Sequence, residues 1–240
     1  MIQRGQIYVA FFILYVLAVL VSIAVFSIKA FPQIAPGGLL TPIPQSSGVA
    51  LGSFLASGGA SNTTTFAGVS FGAADPTRYV VVVGWVASGS TFSGMTIGGI
   101  SATNLASSSN GVSQLVIAAA AVPTGTTGNI VFTYSGTGTA IYSAYRVINS
   151  HGTSTTLGTS TTNPINVTPV VPAGSFVIGA EGDAATGTRT WTGVTQDANQ
   201  VVVTSSLATA SKQFFGGGST NLQCNGTNGN PTFAFVAMTP

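Results

Sequence analysis

Charge is what this chain has least of. Only 4% of its 240 residues are Asp, Glu, Lys or Arg, against about 25% in an ordinary soluble domain. Beyond Lys29 the bases are Arg78, Arg146, Arg189 and Lys212, and the acids are Asp75, Glu181, Asp183 and Asp197. That part of the chain therefore nets to zero. Electrostatic capture of nucleic acid is excluded, because it needs clustered Lys and Arg. Near-zero net charge also promotes association, so a Ser, Thr, Asn and Gly surface points to a subunit covered by neighbours. The one cysteine, Cys224, permits neither an intrachain disulfide nor a cysteine metal cluster. The one histidine, His151, lies in a low-complexity stretch. A nucleophile, base and orienting carboxylate cannot be assembled from these pieces, so no enzyme and no cofactor are expected.

Long apolar sequence, in contrast, is present at the start. Gly5 to Ile28 contains no charged residue, and the 22 residues from Ile7 to Ile28 cover the roughly 30 Å hydrocarbon core at about 1.5 Å per residue. This predicts one N-terminal transmembrane α-helix over residues 1–30, with the N-terminus inside. A secretory signal peptide would have a shorter apolar region and a small-x-small cleavage site. Tyr8, Tyr15 and Ser22 recur at seven-residue steps, and Ala18 and Ser22 form a small-xxx-small pair. These four positions share a helix face open to close helix packing.

Residues 31–61 read as a stalk. Pro32, Pro36, Pro42 and Pro44 disfavour helix and favour an extended polyproline path. Leu39, Leu40 and Ile43 are too apolar for a free linker and are expected to dock against a protein surface. The Gly/Ser/Ala-rich stretch up to Ser61 reads as a continuation of this stalk.

From residue 62 to 240 the pattern is short alternating segments punctuated by turns, which predicts an all-β domain, a β-sandwich or jelly roll. Expected strands are 64–71, 78–87, 94–100, 112–122, 129–134, 140–148, 165–171, 175–181, 188–194, 201–207 and 232–237. Tyr79 to Val83 is apolar on both faces and reads as a central strand, and Asn110-Gly111 as a hairpin turn. Ser150 to Thr162 (SHGTSTTLGTSTT) reads as a long loop or a boundary between two halves. The strand aromatics read as core, with a carbohydrate platform as the alternative.

The stretch DPTRYVVVVGWVASG…FSGMTIGGISATNLASSSNGVSQLVIAAAAVPTGTTGNIVFTYSGT, about Asp75 to Asn149, resembles Gly/Ser/Thr-rich β-sandwich modules of bacteriophage virion proteins. The resemblance implies a shell-building or receptor-binding role. With the anchor, it implies a structural protein tethering a lipid membrane to a capsid shell or vertex, located in the virion membrane and capsid. Its expected partners are lipid, further copies of itself and other shell proteins, with no nucleic acid. Two alternatives remain. Arg4-Gly5 ahead of an apolar helix resembles a pilin-like filament subunit, although Ala10 stands where that pattern has Glu. A single-pass envelope adhesin binding glycans is the other.

Glu181 and Asp183 alternate on one strand face, a spacing that could contribute to a calcium site if further oxygens joined them. The favoured reading is a structural ion pair in which Arg189 returns across a hairpin to a carboxylate.

Overall fold

The computed structural model describes residues 48–87, 89–226 and 231–240. The expected transmembrane helix, with Tyr8, Tyr15, Ala18 and Ser22, and the stalk residues Leu39, Leu40 and Ile43 lie outside the described residues. Among those described the fold is all-β, antiparallel and without helix. No helix there is long and apolar enough to cross a membrane.

Nine strands make the first half: β1 (Leu51–Ser61), β2 (Thr65–Ser70), β3 (Tyr79–Val86), β4 (Phe92–Ile97), β5 (Ile100–Ser101), β6 (Thr103–Ser109), β7 (Gln114–Ala121), β8 (Thr127–Tyr134) and β9 (Thr139–Ile148). The second half contains β10 (Ser154–Ser160), β11 (Ile165–Val167), β12 (Val170–Val171), β13 (Ser175–Asp183), β14 (Arg189–Thr192), β15 (Thr195–Val202), β16 (Ser205–Phe214), β17 (Gly218–Ser219), β18 (Leu222–Gly226) and β19 (Thr232–Met238).

The two halves follow one path. Each has a five-stranded inner sheet, ordered β1-β9-β3-β7-β6 in the first and β10-β19-β13-β16-β15 in the second. Each also has a smaller outer sheet, β2-β8-β4-β5 and β11-β18-β14. The correspondence reaches single residues. β1 is bulged between Phe54 and Ala56, and β10 between Thr156 and Gly158; β6 is bulged between Asn104 and Ala106, and β15 between Gln196 and Ala198. These four bulged strands are the edges of the inner sheets, while the central pairings run without a break. Phe54 lies opposite Tyr145 and then Val81, and Thr156 lies opposite Val236 and then Ile178. Val81 therefore matches Ile178, and four residues on Trp85 matches Gly182.

Alternation along the strands builds the layers. Val81, Val83, Trp85, Ile117 and Tyr145 face Phe176, Ile178, Ala180, Leu207 and Val236 in the core between the inner sheets. The opposite face of β3, with Val80, Val82 and Val86, packs on Met95, Ile97, Ile130 and Phe132 of the first outer sheet. Val177, Phe233 and Phe235 do the same against Ile165, Leu222 and Cys224 in the second half. β3 is buried on both faces, which is why its sequence does not alternate.

Several expected elements are corrected. Residues 51–61, taken as stalk, form β1, hydrogen-bonded along β9. Its glycines are packing positions: a Cβ at Gly52 would overlap the Phe176 ring, and one at Gly58 the Tyr142 ring. Residues 154–160, taken as loop, form β10; the chain crosses between the inner sheets at 149–153. The strand expected over 94–100 ends at Ile97 in a turn, and that expected over 201–207 contains the tip of the β15–β16 hairpin. The strands β6, β15, β17 and β18 and the greater part of β16 were not anticipated.

Candidate functional site

Nearly every charge among the described residues is engaged within the fold. Arg78, immediately ahead of β3, is 1% exposed and donates to six backbone carbonyls. Nε reaches Val122 O at 2.6 Å, Nη1 reaches the carbonyls of Phe71, Gly72 and Ala73 at 3.1, 2.9 and 3.0 Å, and Nη2 reaches those of Thr124 and Gly125 at 2.8 Å each. It fastens the loop after β2 to the loop after β7. Arg146 Nε donates to Ala73 O at 3.0 Å, and its Nη2 lies 3.9 Å from Asp75 Oδ2. Asp75 also accepts from Thr77, whose hydroxyl and backbone N–H hold its carboxyl below the usual range. Lys212 stands over the Phe214 ring at 5.2 Å from its centroid. The buried Tyr145 hydroxyl donates to Asp197 Oδ2 at 2.9 Å, across the halves.

The densest cluster lies at the far end of β13. Glu181 and Asp183 point toward the second outer sheet, and Arg189 opens β14. Arg189 Nε donates to Glu181 Oε2, with both side chains wholly buried. The other guanidinium nitrogens reach Ser206 Oγ at 2.8 Å and Gly187 O at 2.6 Å. The pair is not made across a β13–β14 hairpin. β14 crosses to the outer sheet and pairs with β18, so Glu181 and Arg189 link two layers. Glu181 Oε1 and Asp183 Oδ2 have no hydrogen-bond partner. Burial raises both carboxyls, outweighing the opposing pull of Arg189. No group of three metal-ligating side chains occurs among the described residues. Cys224, buried alongside, has its thiol pushed up by burial and by Glu181.

These shifts have a defined sign. Raised carboxyls (Glu181, Asp183 and Asp197, all mainly through burial) bind protons more tightly folded than unfolded. Their contribution to stability is complete below the ordinary values of 3.8 and 4.5 and is lost as pH rises through the folded values. Asp75 acts in the opposite direction and only in stronger acid. Thermal melts are expected to show a higher Tm in mildly acidic buffer, about pH 5, than at pH 8, with Asp183→Asn flattening the slope. A Tm that climbs steadily toward pH 8 contradicts the cluster's electrostatics.

Two surface recesses, of about 400 and 170 Å³, are lined by Phe71, Ile100 and Thr124 in one and by Phe92, Asn104 and Gln114 in the other. Neither has an acid, a base or a thiol in its lining. His151 is exposed. Among the described residues, Trp85, Phe132, Tyr145 and Phe176 are buried, and Trp191 packs edge-on to Phe235 at 6.0 Å.

Sequence reasoning missed Arg78 and the Tyr145–Asp197 bond. Its setting carries a signal, since in a chain so poor in charge an Arg separated by only Tyr79 from four valines needs a buried partner. No protein-family model matches this chain, and no curated protein or solved structure matches it.

Proposed function

We propose that this chain is a structural protein of a virion, anchored in a lipid membrane by Gly5–Ile28 and holding that membrane to a protein shell through its β-sandwich unit. The observation that carries the reading is a pairing of opposites. One segment has no charge over a bilayer's thickness, and the folded unit spends its few charges internally, leaving a neutral Ser/Thr/Asn/Gly exterior. Such a surface is suited to packing against other subunits. The action is mechanical: the helix holds in hydrocarbon, the Pro-rich segment spans the gap, and the β unit docks in the shell. The resemblance of Asp75–Asn149 to phage virion modules supports the same assignment.

Alkaline carbonate washing of membranes carrying the full chain is expected to leave it in the pellet. Leu17→Arg should hinder insertion by about 2.5–3.5 kcal/mol and move the chain to the supernatant. Release of the unaltered chain defeats the reading. Recovery as lipid-free fibres built on packed N-terminal helices establishes the filament alternative, and glycan binding by a monodisperse protein establishes the adhesin.

A further inference from the structure

The matching hairpin tips of the two halves differ in chemistry. β15 turns into β16 through Val203 and Thr204, whereas β6 turns into β7 through Asn110, Gly111, Val112 and Ser113. The Asn110 side chain is held by three donors. Its Oδ1 accepts from the backbone N–H of Val112 at 2.9 Å, from that of Ser113 at 2.7 Å, and from the Ser113 hydroxyl at 3.3 Å. Two backbone donors on one atom fix it as the carbonyl oxygen of the carboxamide. The next residue, Gly111, is exposed, holds φ +81°, and has open space where a Cβ would stand. Its N–H donates to Ser109 Oγ at 3.3 Å. The turn thus joins an uncrowded backbone nitrogen to a residue whose carboxamide oxygen is already supplied with donors.

We propose that Asn110 is a self-modification site, at which the Gly111 nitrogen attacks Asn110 Cγ and closes a succinimide that water opens to aspartate or isoaspartate. The N–Cγ bond forms as the Cγ–Nδ2 bond breaks. The Gly111 amide proton passes by way of the Ser109 hydroxyl and solvent, Nδ2 leaves as ammonia, and water adds to either imide carbonyl. Negative charge develops on Asn110 Oδ1 during the attack. The N–H groups of Val112 and Ser113 already point there, the arrangement of an oxyanion hole. Asn225-Gly226 is the same dipeptide held differently. It lies in β18, laddered to β14, and Gly226 N donates to Asn163 Oδ1 at 3.0 Å. The product matters in this chain because the charges beyond Lys29 cancel, so one new carboxylate leaves the unit negative. Aspartate keeps the same donors as a stronger acceptor. Isoaspartate lengthens the main chain and disrupts the bond of 3.2 Å from Asn110 N to Ser113 O that closes the turn. The site acts as a clock, changing the charge and the turn of a folded molecule with time.

The test is peptide mapping by mass spectrometry of the full chain, aged in mildly alkaline buffer and sampled over weeks. Conversion gives the peptide the mass of an acid in place of an amide, and isoaspartate separates from aspartate by chromatography. Fragmentation distinguishes Asn225 from Asn228, which lies outside the described residues. In the folded chain Asn110 is expected to convert at least about tenfold faster than Asn225. In guanidinium chloride, where the turn is lost, the two sites should converge, with Asn110 slower than in the folded chain. Ser113→Ala should slow Asn110 about twofold and leave Asn225 unmoved, and Ser113→Thr should restore the rate. Equal rates at Asn110 and Asn225 in the folded chain overturn the proposal. Faster conversion of Asn110 in denaturant also overturns it, because the turn then protects its asparagine.

Discussion

Arg189→Ala is expected to cost about 3–5 kcal/mol, the loss seen when one partner of a buried ion pair is removed. The side chains of Arg189 and Glu181 are wholly shielded from solvent, so the surface-pair value of about 0–1 kcal/mol does not apply. Removing the guanidinium strands the Glu181 carboxyl beside Asp183, deprives Ser206 Oγ of its donor, and leaves Gly187 O with the Asn199 amide alone. Chemical denaturation, read by tryptophan fluorescence, measures the loss. The replacement of both partners, Arg189→Met with Glu181→Leu, should recover most of the stability, because desolvation then falls on neither. A loss below 1 kcal/mol for Arg189→Ala places the pair in water and contradicts the geometry. Added calcium is expected to leave the Tm of the unaltered protein unchanged; a rise of several degrees identifies the two acids as ligands.

Trp85→Ala is expected to cost a similar amount, about 3–5 kcal/mol, for a different reason. Trp85 is fully buried between the inner sheets, and its ring lies over Gly182, where a Cβ would overlap it. Gly182→Leu should therefore force the sheets apart and destabilise by at least as much as the usual 1–3 kcal/mol of an overpacked core. Since Trp85 and Gly182 occupy matching positions in the two halves, the pair also tests their equivalence. Combining Trp85→Gly with Gly182→Trp should be less damaging than the sum of the single changes, because the ring re-enters the same layer from the other side. Additive losses in a double-mutant cycle mean that the two positions do not share a space. Trp85→Phe, which also removes an indole N–H that lacks a partner, should cost under about 1.5 kcal/mol.

The strands that could be read from sequence were those whose residues advertise their role. Tyr79–Val86 and Gln114–Ala121 are dense in apolar residues because inner sheets are covered on both faces. Asn110-Gly111 marks the β6–β7 turn because Gly111 takes φ +81°. The matching turn between β15 and β16 carries no such mark: Val203 holds φ +56° there. That conformation is unfavourable for a β-branched residue, and a strand was therefore drawn through it. β1 and β10 were hidden for the reverse reason. Their glycines lie beneath neighbouring rings or branched side chains, and glycine in a Ser/Ala context has the composition of a linker. Of the charged cluster, the association of Glu181 with Arg189 was legible from their spacing along the chain. Its burial was not, since whether a pair faces solvent or a second sheet depends on a layer contributed by β18, more than thirty residues away in sequence. Arg78 illustrates the same limit, because its partners are main-chain carbonyls, which are present at every position.

The bulges on β1, β6, β10 and β15 bear on how copies of this protein can be crowded together. Each interrupts the regular row of donors and acceptors that an incoming strand would need, and all four lie on the borders of the longest sheets. A folded unit whose own charges sum to zero, held at high local density, runs the risk of fusing with its neighbours into a continuous cross-β ribbon. Here that route is obstructed on both flanks of each inner sheet. Close ranks can form through side chains at the ends and faces of the unit, with every molecule keeping its own closed hydrogen-bond ladder.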